Sequence, residues 1–359
     1  MKKITLSLLA VAFLFSCKKD DDTAAVVVPA GPTYEVPKTY NFDNVSYSGQ
    51  TARLDMLGKL TDYVKTGNKV GVTLDAQKLK DMFANTPGTA AFNDTTLESS
   101  GKQLKSKCFS LHQSKFDKLF DDVAAVSGQT GGSNGVAGIV TSGTKSYLCD
   151  ENGFEYAQLI DKGLMGAVFY YQATGDIGYL SGLGADDNVD VTAGKGTKRE
   201  HHFDEAFGYF GAPLDFPTGS GRYWAKYAGK TKTSDLSQEI MDAWLKGRAA
   251  ISNKDEIARI AAVTEIKNLW EKVIVGAALY YINSARKDIA DDALRNHQLS
   301  EAVAFIGCLK YNDERRILDT EVTKILDEIG GNLYATTAPK LTDAATSLAS
   351  VYGLDATKY

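Results

Sequence analysis

The chain has 359 residues, with 40 Lys and Arg against 45 Asp and Glu, a formal net charge of −5. That balance offers no basic footprint, so nucleic acid is not an expected partner. The length suits one large domain or two intimate ones, and four cysteines without a CxxC spacing exclude a disulfide-built scaffold or a zinc ribbon.

Residues 1–16 read as an export signal: Lys2 and Lys3 lead an apolar run from Ile4 to Phe15, too short to span a bilayer. The run ends in Leu14-Phe15-Ser16-Cys17, which resembles a bacterial lipobox and makes Cys17 the expected lipidated N-terminus. KKDDD follows, an acidic run of the kind seen in lipoproteins displayed on the outer surface or simply a solvated charge run. Pro29, Pro32 and Pro37 then predict an extended tether over 17–40, because proline removes donors and disfavours helix. The membrane, reached through lipid on Cys17, is therefore one expected partner.

From residue 41 to 359 the periodicity predicts a helical domain. ARLDMLGKLTDYVKTG (52–67) carries Leu54, Leu57, Leu60 and Val64 at helical spacing, with Gly67 as a stop. The stretches 237–251, 254–289, 291–311 and 312–334 continue the pattern. The exception is 127–153, rich in Gly, Ser and Thr, where Val136–Thr141 and Lys145–Cys149 predict a small hairpin ahead of a helix starting near Gly153. Cys108 and Cys149 are the candidate disulfide pair in an oxidising compartment.

Two segments repeat. EYAQLIDKGLMGAVFYY (155–171) aligns without gaps on EIKNLWEKVIVGAALYY (265–281), and HHFDEAFGYFG (201–211) on HQLSEAVAFIG (297–307). The longer spacing in the first copy fits an insertion within 175–196. Repetition of this kind marks a fold built from one supersecondary unit used twice. The expected fold is all-α: two related, duplicated helical bundles packed together, with one small β-hairpin, the halves running roughly 150–211 and 260–311. Gly166 and Gly276, costly inside helices, are best explained by close helix crossings.

REHHFDEAFGYFG (199–211) holds two of the four histidines. On a helix His201 and Glu205 share a face, and His202 with Glu205 and His201 with Asp204 are neighbours at three. His201, His202, Asp204 and Glu205 are therefore candidate metal ligands, and His202 with Glu205 a candidate ligand-binding pair. A buried His/carboxylate network joining the bundles, and catalysis with Glu205 as base, are the other readings. Neither HExxH nor the Glu-x-x-His of di-iron bundles is present, and no Walker loop or Rossmann glycine pattern appears. In FPTGSGRYWAKYAGK (216–230), Arg222 and Trp224 are candidates to line the rim of a pocket near His202, as against a plain connecting loop. His201 recurs as His297 whereas His202 does not, so His202 is expected to serve the site and His201 the packing.

EHHFDEAFGYFG together with NGFEYAQLIDKGLMGA resembles a family of bacterial lipoproteins of unknown function related to the imelysins. The resemblance covers nearly the whole chain after the signal. It implies an exported, two-bundle helical protein tied to iron uptake. The imelysin GxHxxE motif carries its His and Glu onto His202 and Glu205, and its leading Gly falls on Glu200. The function so implied is a lipoprotein of the outer membrane or cell surface that binds a ligand or metal. Its cofactor would be a metal ion or iron/haem, and an outer-membrane receptor is the partner such a role calls for. A metal-assisted, peptidase-like hydrolase is the enzymatic alternative.

Overall fold

A computed structural model describes residues 33–229 and 236–359. The expected signal, Cys17, the acidic run, Pro29 and Pro32 lie outside the described residues. The chain is mostly helical, with one two-stranded antiparallel sheet. Residues Tyr34–Tyr359 form one compact unit with a large apolar core and a small second cluster of Val140, Tyr147, Cys149 and Ala293.

The first helices are α1 (Ser48–Thr66), α2 (Ala76–Ala84), α3 (Thr95–Ser99) and α4 (Gln113–Val126). α1 stops at Gly67 as its sequence predicts, burying Leu54, Leu57, Leu60 and Val64. The hairpin follows, β1 (Gly138–Ser142) pairing with β2 (Lys145–Cys149) so that Ile139 faces Leu148. A two-residue turn joins the strands, with Gly143 at φ +58, where a side chain is disfavoured.

The next helix begins at Tyr156, slightly later than expected. It comprises α5 (Tyr156–Leu164), a π-helical stretch Met165–Tyr170 and α6 (Tyr171–Thr174). The Trp224 indole donates to the Met165 carbonyl at 3.1 Å, at the start of that stretch. Gly166 sits there against the helix that ends at Cys308: a Cβ would lie 2.3 Å from Cys308 Sγ. The close crossing expected of this glycine is present.

The remaining helices are α7 (Tyr179–Gly182), α8 (Lys198–Phe210), α9 (Tyr223–Ala228), α10 (Ser237–Ser252), α11 (Glu256–Lys287), α12 (Asp292–Cys308), α13 (Asp319–Ile329) and α14 (Ala338–Tyr352). α11 packs along α10, α12 and α14. All three tryptophans are fully buried; the rings of Trp224 and Trp244 lie 6.4 and 6.2 Å from Trp270, and Phe210 comes within 5.0 Å of it. Burying each such ring contributes on the order of 3 kcal/mol, so this cluster is where α8, α9, α10 and α11 are tied together.

Three expectations need correction. Helix does not extend over 312–318, because the buried Glu271 carboxylate accepts the Arg316 N–H at 3.0 Å and the Asn312 amide at 3.3 Å. The end of the expected tether is part of the folded unit: Tyr40 is fully buried, stacked 3.7 Å from Phe207. Cys108 and Cys149 are not paired; with Cys308 they are free, buried thiols. No helix among the described residues is long and apolar enough to cross a membrane.

Candidate functional site

α8 carries the histidine-rich segment, and its start is fixed by a reciprocal cap. The Thr197 hydroxyl accepts from the Glu200 N–H at 3.2 Å, and Glu200 Oε2 accepts from the Thr197 N–H at 2.8 Å. At its other end Gly211 takes φ +83, with the Arg222 carbonyl 2.6 Å from where a Cβ would be. Between these stops Phe203, Asp204, Phe207 and Phe210 face inward, while His201, His202 and Glu205 are half-buried on the other side.

The four metal candidates diverge. Asp204 is fully buried and accepts from Arg248 Nε at 2.9 Å and from the Tyr40 hydroxyl at 2.8 Å. Burial raises its carboxyl to about 6, with Arg248 and the Tyr40 hydroxyl pulling it down. His202 turns away to Asp186, Nδ1 to Oδ2 at 2.6 Å, and Lys198 holds the other oxygen of Asp186 at 3.1 Å. Only His201 and Glu205 remain together, with Nε2 4.0 Å from Oε1. Burial holds His201 below its ordinary value, against the pull of Glu205, so the imidazole is neutral at neutral pH.

A closed metal site needs about four donors converging on one point, and a catalytic site about three. Two donors do not make one, and no three His, Cys, Asp or Glu among the described residues gather so as to hold a metal ion. The expectation that His201, His202, Asp204 and Glu205 form a metal site is therefore corrected: residues adjacent on the helix are pulled by partners on different sides.

Arg222 and Trp224 do not join His202. Arg222 donates its N–H to the Gly211 carbonyl, beyond the end of α8, nine residues on from His202. At 1.5 Å per residue that is roughly 13 Å along the helix. Its guanidinium pairs with Asp55 at 2.7 Å on the surface, and Trp224 is core.

What surrounds Glu205 is a polar cluster that sequence reasoning missed. Gln50, from α1, donates to Glu205 Oε1 at 2.8 Å. The Tyr179 ring lies 5.2 Å from His202, and burial followed by the Glu205 charge pushes its hydroxyl well up. The Lys107 ammonium sits 5.9 Å over that ring. Burial, then the positive charge of Arg53, lowers Lys107; Lys102 adds to this and Glu205 opposes it. Arg53 is anchored by bonds to the carbonyls of Gln103 (2.9 Å) and Gly49 (3.1 Å). Arg53, Lys102 and Glu205 thus all act on the Lys107 ammonium, so three cations share the neighbourhood of one carboxylate, a local excess of positive charge suited to a ligand rich in acceptors.

The second histidine pair is closed by contrast. His297 Nδ1 meets Glu155 Oε2 at 2.5 Å, Nε2 meets Glu301 Oε1 at 3.5 Å, and the ring stacks 4.4 Å from Tyr147. Its two carboxylates engage opposite nitrogens and so do not converge either.

Over residues 37–355 the chain matches the family described as Domain of unknown function (DUF4856). It belongs to that family. The match begins at Pro37, close to where the chain joins the compact unit, and ends just after α14. No curated protein and no solved structure matches the chain.

Proposed function

We propose that this protein is a lipoprotein of the outer membrane, anchored through Cys17, that binds an anionic ligand at the Glu205 cluster. In this reading the ligand is iron carried in a carboxylate-bearing chelate, or haem, and the protein serves iron or haem acquisition together with an outer-membrane receptor. The observation that carries it is the gathering of Arg53, Lys102 and Glu205 within electrostatic reach of Lys107, with the Gln50 amide on Glu205 and the neutral His201 beside it. A chelate or haem brings most of its own metal ligands, so the site needs to recognise carboxylates and offer at most one imidazole. The metal-assisted hydrolase is less well supported, because it requires a cage that the four α8 candidates do not form.

The same reading treats 150–211 and 260–311 as copies of one helical hairpin in two related bundles. The matching four-residue pairs His201/Glu205 and His297/Glu301 support that view. Only the first copy leaves its histidine loosely held.

The test is calorimetric and spectroscopic titration of the mature chain with ferric citrate and with haem. Saturable binding of one of them is expected, weakened about tenfold or more by Lys107→Glu, a loss of at least about 1.4 kcal/mol. Failure of both ligands to bind, or an unchanged affinity in Lys107→Glu, would overturn the proposal.

A further inference from the structure

A second candidate site lies elsewhere, in a cavity of about 240 Å³ between α4, α5 and α12. Its floor is apolar, built from Phe116, Leu119, Leu159 and Leu326. Its polar lining includes His112, Lys115, Lys310 and Tyr311, and no Asp or Glu lines it. Both lysines are exposed as residues, burial lowers the Lys115 ammonium, and no ion pair among the described residues takes either. His112 Nδ1 and the Tyr311 hydroxyl are 2.6 Å apart. Burial, then the charges of Lys115 and Lys310, hold His112 below its ordinary value. Two like charges with no acidic counterweight face one opening, an arrangement that costs stability unless something negative occupies it.

Gly307 adds an independent sign. Glycine is disfavoured in helices, and here packing does not require it, since a Cβ would meet nothing within 4 Å. Its bare position helps line the cavity. Cys308, in the lining, also abuts Gly166 of the π-helical stretch, and such irregularities recur at functional sites.

We propose that this cavity binds a small organic monocarboxylate, its apolar or aromatic body on the Phe116–Leu159 floor and its carboxylate between Lys115 and Lys310. Charge complementarity fixes the sign of the ligand, the apolar floor requires a hydrocarbon body, and the volume limits its size. The site is separate from the Glu205 cluster and does not depend on the function proposed for that cluster.

Isothermal titration of the mature chain with benzoate and hexanoate, with benzyl alcohol and inorganic phosphate as controls, tests this. At least one carboxylate should bind saturably, with the alcohol and phosphate at least about tenfold weaker. Lys115→Met with Lys310→Met should weaken the carboxylate about tenfold or more, and Gly307→Leu should block it while the melting temperature holds or rises. The surface lysine pair keeps the test valid if Gly307→Leu misfolds. The proposal is overturned if neither carboxylate saturates, if the alcohol or phosphate binds as well, or if Lys107→Glu weakens benzoate as much as the lysine pair does.

Discussion

The Arg248–Asp204 pair gives the sharpest prediction about what holds α8 in place. Both side chains are fully buried; Arg248 also reaches Glu200 Oε1 at 2.7 Å and the Asp43 carbonyl at 3.2 Å, beneath the Phe42 ring. Even with this partner the Asp204 carboxyl is raised from 3.8 to about 6. Two pKa units correspond to roughly 3 kcal/mol against its charged form. Arg248→Met removes the compensating cation and should cost about 3–5 kcal/mol at pH 7.5, as losing one partner of a buried pair does. At about 2 °C per kcal/mol for a domain of this size, the melting temperature should fall roughly 6–10 °C. A carboxyl raised in the folded state stabilises most below its unfolded value and loses that contribution as pH rises through its folded value. In the variant that folded value climbs further, so Asp204 takes up a proton and the penalty should shrink at pH 5. Denaturant melts of Arg248→Met at both pH values, with Arg248→Met/Asp204→Leu expected to recover most of the loss, provide the check. A loss below about 1 kcal/mol, or one that grows on acidification, would refute the reasoning.

Gly166→Ala should destabilise by about 1–3 kcal/mol, since its Cβ would overlap Cys308 Sγ, and Cys308→Ala should restore part of the loss in thermal melts. Tyr352→Phe should cost about 1–3 kcal/mol, because the Tyr352 hydroxyl donates to Glu271, a carboxylate that is only 1% exposed; an unchanged denaturation midpoint would count against it. Cys17→Ala should abolish labelling by a fatty-acid probe, and undiminished labelling would remove the lipoprotein reading.

Most of the helices were legible because their apolar spacing and stops are local: Leu54 to Val64 with Gly67, or the long run that became α11. The hairpin was legible for the same reason, since alternation and a Gly-containing turn act within a few residues. The region 312–318 was not, because what prevents helix there is Glu271, about forty residues earlier in the chain. The cap at Thr197–Glu200 was readable as a Thr-x-x-Glu pattern and would have set the start of α8 at Lys198. The candidate site was harder. Helical spacing correctly put His201 with Glu205, but spacing cannot say which way the neighbours turn. Asp186 draws off His202 and Arg248 draws off Asp204, and both choices depend on tertiary packing. Lys107 and Arg53 carry no motif at all.

The two histidines at matching repeat positions should therefore behave differently, and not as repetition alone suggests. Recurrence predicts that His201, like His297, serves packing. Yet Glu155 is 1% exposed and its carboxylate meets His297 Nδ1, while Glu301, 5% exposed, lies against the other nitrogen. Removing that ring takes the imidazole from the buried Glu155 carboxylate, while Glu301 keeps the Tyr227 hydroxyl at 3.5 Å, so His297→Ala should lose about 1–3 kcal/mol. The His201 ring has Glu205 at the longer distance of 4.0 Å, and that carboxylate is partly exposed and already bonded to Gln50. His201→Ala should then cost under about 1 kcal/mol, as half-exposed pairs do, and act instead on ligand affinity at the Glu205 cluster. Denaturant unfolding of the two single variants decides between these assignments. Equal losses would mean that both pairs are packing elements, and a larger loss for His201→Ala would mean that the first copy, with its looser geometry, is the structural one.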